Sequence, residues 1–164
     1  MHLSALERTP DFHVSASGQV YRGFHPYKMD PKFRTSIPTD WRPAAGEKLF
    51  LLFAETHDMP VVRVITQADY DRRVRIVEES DLTPARKTAK LGSLAMRCRD
   101  VSVNDQGKLL IPKDLSEKAG IRGDSTIVLA GRQSYFEVWS SENFDKVLEI
   151  EQAQDDEDDL GVFD

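Results

Sequence analysis

The sequence has a single cysteine, Cys98, and no long apolar run among its 164 residues. One cysteine excludes an internal disulfide framework and a cysteine-based zinc site, and the sequence shows no base to activate it, so a buried structural thiol is predicted. No stretch approaches the roughly 20 apolar residues that a membrane-spanning helix needs, and the N-terminus lacks the apolar segment of a secretory signal. A cytoplasmic location without a membrane partner is therefore expected.

The short motifs of the common enzyme classes are also missing. The sequence has no Gly-Lys-Ser/Thr phosphate loop, no Gly-x-Ser-x-Gly nucleophile elbow and no dinucleotide-binding fingerprint. Glu55, His57 and Asp58 lie close together, but their spacing matches no metal-ligand motif and indicates a solvated loop between two strands. We therefore expect no enzymatic activity, no metal, no cofactor and no small-molecule substrate.

Negative charge is concentrated at one end of the chain. The net charge is −6, and residues 155–164 hold six of the 28 acidic residues without any Lys or Arg, which leaves 22 acidic and 22 basic residues in 1–154. The pattern predicts a neutral folded body with an acidic tail that lacks the apolar content to fold alone. The central third is basic through Arg72, Arg73, Arg75, Arg86, Lys87, Lys90, Arg97 and Arg99.

Two stretches share one pattern. Residues 27–38 read YKMDPKFRTSIP and residues 101–112 read VSVNDQGKLLIP, each an extended run, a polar turn, a basic residue, a short apolar strand and Ile-Pro. An offset of 74 relates Asp30 to Asn104, Arg34 to Lys108 and Pro38 to Pro112. The same offset pairs Trp41 with Leu115 and Gly46 with Gly120. An internal duplication is the simplest explanation.

Local signals divide the chain into segments. Thr66 with Asp69 resembles a capping box, and Thr83-Pro84 begins a second helix that is predicted to end near Gly92. Ser140 or Ser141 caps a last helix. The predicted segments are an extension (1–19), a first repeat (20–67), connecting helices (68–95), a second repeat (96–142), a C-terminal helix (143–153) and an acidic tail (154–164).

These elements carry a family resemblance. Tyr21-Arg22-Gly23, the Asp30-x-x-x-Arg34 turn with Ile37-Pro38, the 107–112 run GKLLIP and the 136–139 run FEVW resemble the MraZ family of bacterial transcriptional regulators. The resemblance implies an α+β fold in which duplicated AbrB-like swapped-hairpin units form a double-split β-barrel, with helices between and after the copies. It also implies a closed homo-oligomeric ring that binds repeated double-stranded DNA sites near the promoter of the division and cell-wall gene cluster, in the nucleoid.

The family's Asp-x-x-Gly-Arg turn is altered in both copies. Phe33 replaces the glycine of the first copy, and because Phe takes a positive φ only at a cost, the type I geometry favoured by Pro31 is expected there. Asn104 and Lys108 replace Asp and Arg in the second copy, and lysine keeps the charge but loses the planar fork of arginine. The resemblance implies DNA-binding residues at both turns: Asp30, Lys32, Arg34, Asn104, Gln106 and Lys108.

Two alternatives remain beside a DNA-binding regulator. An Asp30–Arg34 pair across a turn is also an ordinary surface ion pair, and the altered turns would suit a structural ring that has lost DNA binding. The acidic tail ending in Phe163-Asp164 would instead suit an antitoxin-like protein whose C-terminal segment neutralises a partner. We also expect the tail to compete weakly with DNA for the basic surface, since both are dense lines of negative charge.

Overall fold

The computed structural model describes residues 19–164, which contain eight strands and four α-helices. The strands are β1 (Phe24–Lys28), β2 (Arg34–Ser36), β3 (Leu49–Thr56), β4 (Met59–Thr66), β5 (Cys98–Val101), β6 (Lys108–Leu110), β7 (Thr126–Gly131) and β8 (Tyr135–Ser140). The helices are α1 (Gln67–Glu78), α2 (Pro84–Arg97), α3 (Lys113–Lys118) and α4 (Ser141–Glu157), and a short 3-10 helix spans Thr39–Trp41. The predicted α+β class is confirmed. None of these helices is long and apolar enough to cross a membrane.

Local side chains begin the three long helices where the sequence predicts. The hydroxyl of Thr66 accepts from the Asp69 amide, that of Thr83 from the Arg86 amide, and that of Ser140 from the Asn143 amide. Each bond satisfies an amide that has no partner inside its helix.

The helix ends differ from the predictions. α2 passes through Gly92 and continues to Arg97, so β5 begins at Cys98, two residues after the predicted start of the second repeat at 96. α4 continues through Glu157, so the predicted boundary at 153–154 lies inside this helix. The thiol of Cys98 is only partly buried in β5, although burial still raises its pKa. His57 and Asp58 form the tight turn between β3 and β4, as predicted, whereas Glu55, which was predicted in the same loop, lies in β3 opposite Pro60.

The strands form an open sheet and a separate ribbon. Six antiparallel strands lie in the order β1-β7-β8-β4-β3-β5, and β2 pairs only with β6. The strands therefore do not close into the hydrogen-bonded barrel that the resemblance implies. If each strand is replaced by its equivalent in the other copy (β1 with β5, β3 with β7, β4 with β8), the result is the same strand order read from the opposite edge of the sheet. The topology thus repeats with the sequence.

The register shows that the two copies are related by a local twofold axis. Thr35 pairs with Leu109 in the ribbon, and Arg63 pairs with Glu137 at the centre of the sheet. Each of these pairs is separated by the offset of 74, so each joins equivalent positions. The first strand of each copy also pairs with the third strand of the other, as β1 with β7 and β5 with β3. The copies are interleaved, since each contributes strands to the same sheet and to the same ribbon.

Strand alternation sends side chains to two apolar clusters. One face of the sheet packs against the ribbon, α3 and the 3-10 helix, with Trp41, Leu109 and Phe136 fully or nearly buried. The other face packs beneath α4, where Trp139 and Phe144 are buried. Because the first cluster contains side chains of both copies, burial of this apolar surface stabilises the interleaved arrangement.

A buried carboxylate stands on the twofold axis. Glu137 is 1% exposed and accepts from Arg63 Nε at 3.0 Å, Arg132 Nε at 2.8 Å and Trp139 Nε1 at 3.0 Å. Arg132 also binds Glu151 of α4 through both terminal nitrogens. The network connects β4, β8 and α4, and all of its buried polar atoms have partners.

Glu137→Ala is expected to lower the free energy of unfolding by about 3 to 5 kcal/mol, because it leaves a buried indole N–H without an acceptor and removes the carboxylate that two guanidinium groups share. Glu137→Gln retains one acceptor oxygen and the side-chain volume, so its loss should be smaller. Urea unfolding followed by far-UV circular dichroism measures both. A loss below about 1 kcal/mol for the alanine variant would contradict the role assigned to this network.

Candidate nucleic-acid interface

The ribbon of β2 and β6 has an inward face and an outward face. Thr35 and Leu109 point inward and are fully buried, whereas Arg34 and Leu110 are exposed on the opposite side. Backbone bonds extend the ribbon by one residue at each end, from the Ile111 amide to the Phe33 carbonyl and from the Ile37 amide to the Gly107 carbonyl. The two polar turns therefore lie at opposite ends of one ribbon, about 13 Å apart at about 3.3 Å per residue.

Asp30 organises the first turn. Its Oδ1 accepts from the backbone amides of Lys32 and Arg34, both at 2.8 Å, and its Oδ2 accepts from Arg34 Nε at 2.9 Å. The side chain thus replaces a backbone acceptor while also pairing with the guanidinium. The ion pair occupies the Nε edge of Arg34, whose two terminal nitrogens remain available as donors. The Arg34 side chain is 44% exposed.

Asn104 organises the second turn with the same geometry. Its Oδ1 accepts from the backbone amides of Gln106 and Lys108, both at 2.9 Å. The remaining backbone bonds also match, since Asn104 N–H donates to the Lys108 carbonyl as Asp30 N–H donates to that of Arg34. The change from Asp to Asn therefore keeps the acceptor that builds the turn and loses only the carboxylate that would pair with a cation.

Phe33 has a positive φ despite its side chain. Its φ is 61°, close to the 76° of its equivalent Gly107, so the expectation that Phe33 avoids this region is wrong. A left-handed residue is required because the turn must return the chain into the ribbon, where the Phe33 carbonyl binds the Ile111 amide. Packing of the partly buried ring against the core offsets a strain of order 1 kcal/mol or more.

Gly107 is restricted by space as well as by backbone conformation. A Cβ atom built on Gly107 would collide with the guanidinium of Arg42, which therefore lies against this turn. The residue equivalent to Arg42 in the second copy is Ser116, which is small and fully buried. The two copies therefore differ at both positions, with Gly107 and Arg42 in contact at one turn and Phe33 and Ser116 at the equivalent positions of the other.

Cations from both copies share the ribbon's outward side. Lys108 Nζ of the second copy donates to Ser36 Oγ of the first copy at 3.1 Å. This bond places the ammonium group over the strand of the first copy. Lys32 and Gln106 are exposed within the two turns. All six residues predicted for DNA binding therefore lie on or beside this ribbon. Asp30 and Asn104 act mainly by shaping the turns.

Arg42 was not among the predicted residues. Its guanidinium adds a fourth cation to Lys32, Arg34 and Lys108 on the turns and ribbon, although Asp105 supplies an exposed acid in the second turn. Sequence position gives no reason to choose Arg42, since it follows the 3-10 helix outside both turns. The one signal in the sequence was Gly107 of the other copy, since a glycine often marks a place where another group packs closely. Which residue packs there is decided only by the tertiary structure.

The ionisation of Asp30 reflects its donors. Partial desolvation acts to raise the pKa, but the bonds from the Arg34 backbone and side chain and from the Lys32 amide outweigh it and lower the pKa below the ordinary 3.8. A lowered pKa means that the ionised carboxylate stabilises the folded turn above pH 3.8 and that this contribution is lost as the pH falls through the folded value. The second turn has no carboxylate at Asn104 and should not share this dependence.

Asp30→Asn and Asp30→Ala separate the two roles of this side chain. Asn keeps the acceptor for two amides, as Asn104 does, so its cost should stay below about 1 kcal/mol, the usual limit for an exposed ion pair. Ala removes the acceptor as well and should lower the free energy of unfolding by about 1 to 2 kcal/mol. Thermal and urea unfolding measure both, and equal losses would show that the ion pair matters more than the turn.

Gly107→Ala should lower the free energy of unfolding by about 1 to 2 kcal/mol, from the positive φ and the conflict with Arg42. In the Arg42→Ala background the conflict disappears, so the same substitution should cost only the backbone part, about 1 kcal/mol. The double-mutant cycle by urea unfolding measures the difference. Strict additivity would show that Arg42 does not pack on this turn.

Comparison with known proteins gives consistent matches. A family model described as "MraZ protein, putative antitoxin-like" matches residues 94–162. A Transcriptional regulator MraZ from Acidobacterium capsulatum is 28% identical over 147 residues, covering 88% of this chain and 99% of the relative. Proteins of the same name from Dehalococcoides mccartyi and Rickettsia rickettsii are 23% and 24% identical, covering 82% and 76% of this chain and 92% and 83% of their own.

The family model covers the second copy, and the alignments with whole relatives extend over most of the chain. The resemblance read from the sequence is thereby confirmed: over most of its length the chain is similar to proteins named Transcriptional regulator MraZ.

Proposed function

We propose that this protein regulates transcription by binding double-stranded DNA through the outward side of the β2/β6 ribbon. The observation that carries the proposal is that Arg34 and Lys108, at equivalent positions of the two copies, lie on the outward side of one ribbon, where Arg34 is exposed and Lys108 is partly exposed. A local twofold axis relates the two positions. The named relatives support a regulatory role and are not enzymes. We propose no catalytic activity, and the DNA partner would place the protein at the nucleoid.

The ribbon has dimensions that suit DNA. A two-stranded antiparallel ribbon fits the major groove, which is about 12 Å wide. Arg34 presents a guanidinium fixed by Asp30 at 2.9 Å, and a fixed fork can bond the edge of guanine or a phosphate through two donors. The Lys108 ammonium, held by Ser36, supplies a point charge without that fork. The two ends of the ribbon therefore offer different contributions, specificity at Arg34 and general affinity at Lys108.

Charge distribution favours the same surface. Residues 1–154 have no net charge, so the protein is not basic as a whole. The cations at the ribbon therefore form a local positive area on a neutral body. One such area binds DNA weakly. We propose that the chain compensates by assembling into a closed ring that engages repeated promoter-proximal sites, for which the division and cell-wall gene cluster is the expected location, because linked weak contacts raise the effective affinity. The interleaved copies are compatible with AbrB-like swapped hairpins.

Three variants and one control test the interface. Arg34→Ala should lose roughly 1 to 3 kcal/mol per engaged site and relax the preferred sequence, whereas Lys108→Ala should weaken all sequences alike and flatten the salt dependence. Lys108→Arg adds the planar fork and should tighten binding to the preferred sequence. Lys146→Ala removes an exposed cation from α4 and should change nothing.

The DNA for these measurements is recovered by pull-down with the native protein from its host genome and sequenced. Binding of each variant to the recovered and to scrambled DNA is then followed over a salt series, with the oligomeric state checked by light scattering. Native affinity in Arg34→Ala, with assembly unchanged, would refute the ribbon as the reading surface.

A further inference from the structure

Among residues 19–164, helix α2 has no counterpart in the second copy. In the first copy, α2 lies over a surface of β3 and α1 that includes Leu52, Arg73 and Val77. The offset of 74 relates α1 to α4, since they begin at Gln67 and Ser141. α4 is followed by only seven residues that form no helix, so within residues 19–164 nothing takes the place that α2 takes beside α1.

The equivalent surface of the second copy is an open apolar groove. Arg73 and Val77 correspond to Val147 and Glu151, and Leu52, which pairs with Arg63, corresponds to Ala130, which pairs with Glu137. These three equivalent residues line one groove between β1, β7 and α4, together with Phe24, Phe144 and Leu148. Arg132 also lines the groove, where its charge is balanced by Glu137 and Glu151. Phe24 is 56% exposed and Leu148 is 37% exposed. The groove thus presents apolar surface where the first copy holds a helix.

Within residues 19–164, nothing covers the outer face of α2. No residue of α2 is buried, and its inner side is formed by the partly buried Lys87, Leu91 and Leu94. The opposite side carries Ala85, Ala89, Gly92 and Met96, whose spacing of four, three and four residues places them on one helix face. All four are exposed, Met96 by 82%.

Charge also matches between the two surfaces. Arg86, Lys90 and Arg97 are exposed along the edge of the apolar face of α2. Asp145 and Asp155 are exposed on α4 and lie three residues before and seven residues after Leu148, so they share its helix face beside the groove. A basic helix with a narrow apolar face therefore has an acidic-edged apolar groove available on the same molecule. The two surfaces lie on different copies.

We propose that the outer face of α2 from one subunit packs into the β1/β7/α4 groove of the next subunit. The groove lies where the fold already accommodates a helix in its first copy, and the small side chains at Ala89 and Gly92 would let Phe24 and Leu148 approach closely. The contact joins unlike surfaces, so it continues from subunit to subunit and closes into a ring if the rotation permits. The inference deepens the proposed function, on whose ring assembly it rests, by assigning the surfaces that build the ring.

Disulfide trapping between two differently labelled proteins tests the contact. In a Cys98→Ser background, one protein carries Met96→Cys and the other carries Leu148→Cys, and they are mixed under mild oxidation without DNA. We expect a cross-linked dimer in the mixture and almost none from either protein alone. Ile76→Cys is the matched control, because Ile76 is a 57% exposed apolar residue on α1 outside both surfaces; its mixture with Leu148→Cys should give no dimer.

A second variant checks that the trapped contact is the proposed one. A Cβ atom on Gly92 would meet nothing within 4 Å in the single chain, and glutamine is a better helix former than glycine. Gly92→Gln should therefore fold normally, abolish the cross-link and reduce the oligomer to smaller species in light scattering. A full yield of dimer in this variant would overturn the proposal.

Other occupants of the groove give distinct results, each of which would also overturn the proposal. A cross-link within one chain between Leu148→Cys and Phe163→Cys would assign the groove to the C-terminal segment. A mixed dimer that forms only after deletion of residues 1–18 would assign it to the N-terminal segment. Dimers from Met96→Cys alone would indicate a symmetric contact between two α2 helices. Failure of DNA binding is separable, since it would leave the cross-linking unchanged.

Discussion

The antiparallel pairing of β2 with β6 is the constraint on which the rest of the structure depends, because neither copy can satisfy these strands alone. Thr35 and Leu109 meet at equivalent positions, and each end of the ribbon bonds to the turn of the other copy. The pairing brings two turns that are 74 residues apart in sequence onto one short ribbon. It also sends Leu109 inward and Arg34 outward, so a buried core and an exposed cationic face arise from the same alternation.

The local twofold axis explains why the copies differ where they do. Side chains at equivalent positions meet on the axis, so an identical charged residue in both copies would face its own charge. Arg63 and Glu137 occupy such positions and form an ion pair at 3.0 Å in the sheet centre. Divergence between the copies is therefore a requirement of packing at the axis. It does not by itself indicate that one copy has lost its role.

The same reasoning applies to the altered turns. Asn104 retains the Oδ1 acceptor for two backbone amides, and Phe33 retains the left-handed conformation of the glycine it replaces. Both turns therefore keep one backbone shape under different side chains. What differs is the donor that each presents, a guanidinium held by a carboxylate at Arg34 and an ammonium held by a hydroxyl at Lys108.

Features that depend on neighbouring residues were predicted correctly from sequence. The helix starts at Thr66, Thr83 and Ser140 follow from hydroxyl groups that bind amides three residues later. The end of α2 was wrong, since glycine costs a helix about 1 kcal/mol and contacts beyond it can outweigh that cost. Leu94, two residues after Gly92, is partly buried in the folded structure. This tertiary contact favours continuation of the helix and cannot be read from the local sequence.

The sequence by itself determined the repeat, its offset of 74, the turn-forming side chains and the α+β class, because each rests on residue type and short-range spacing. Tertiary structure decided which strands pair, that the sheet stays open and that Arg42 lies on Gly107. It also decided that no other part of residues 19–164 covers the outer face of α2 or the groove around Phe24. These features depend on contacts between residues far apart in the chain. Their free energies come from burial and geometry that exist only once both copies are interleaved.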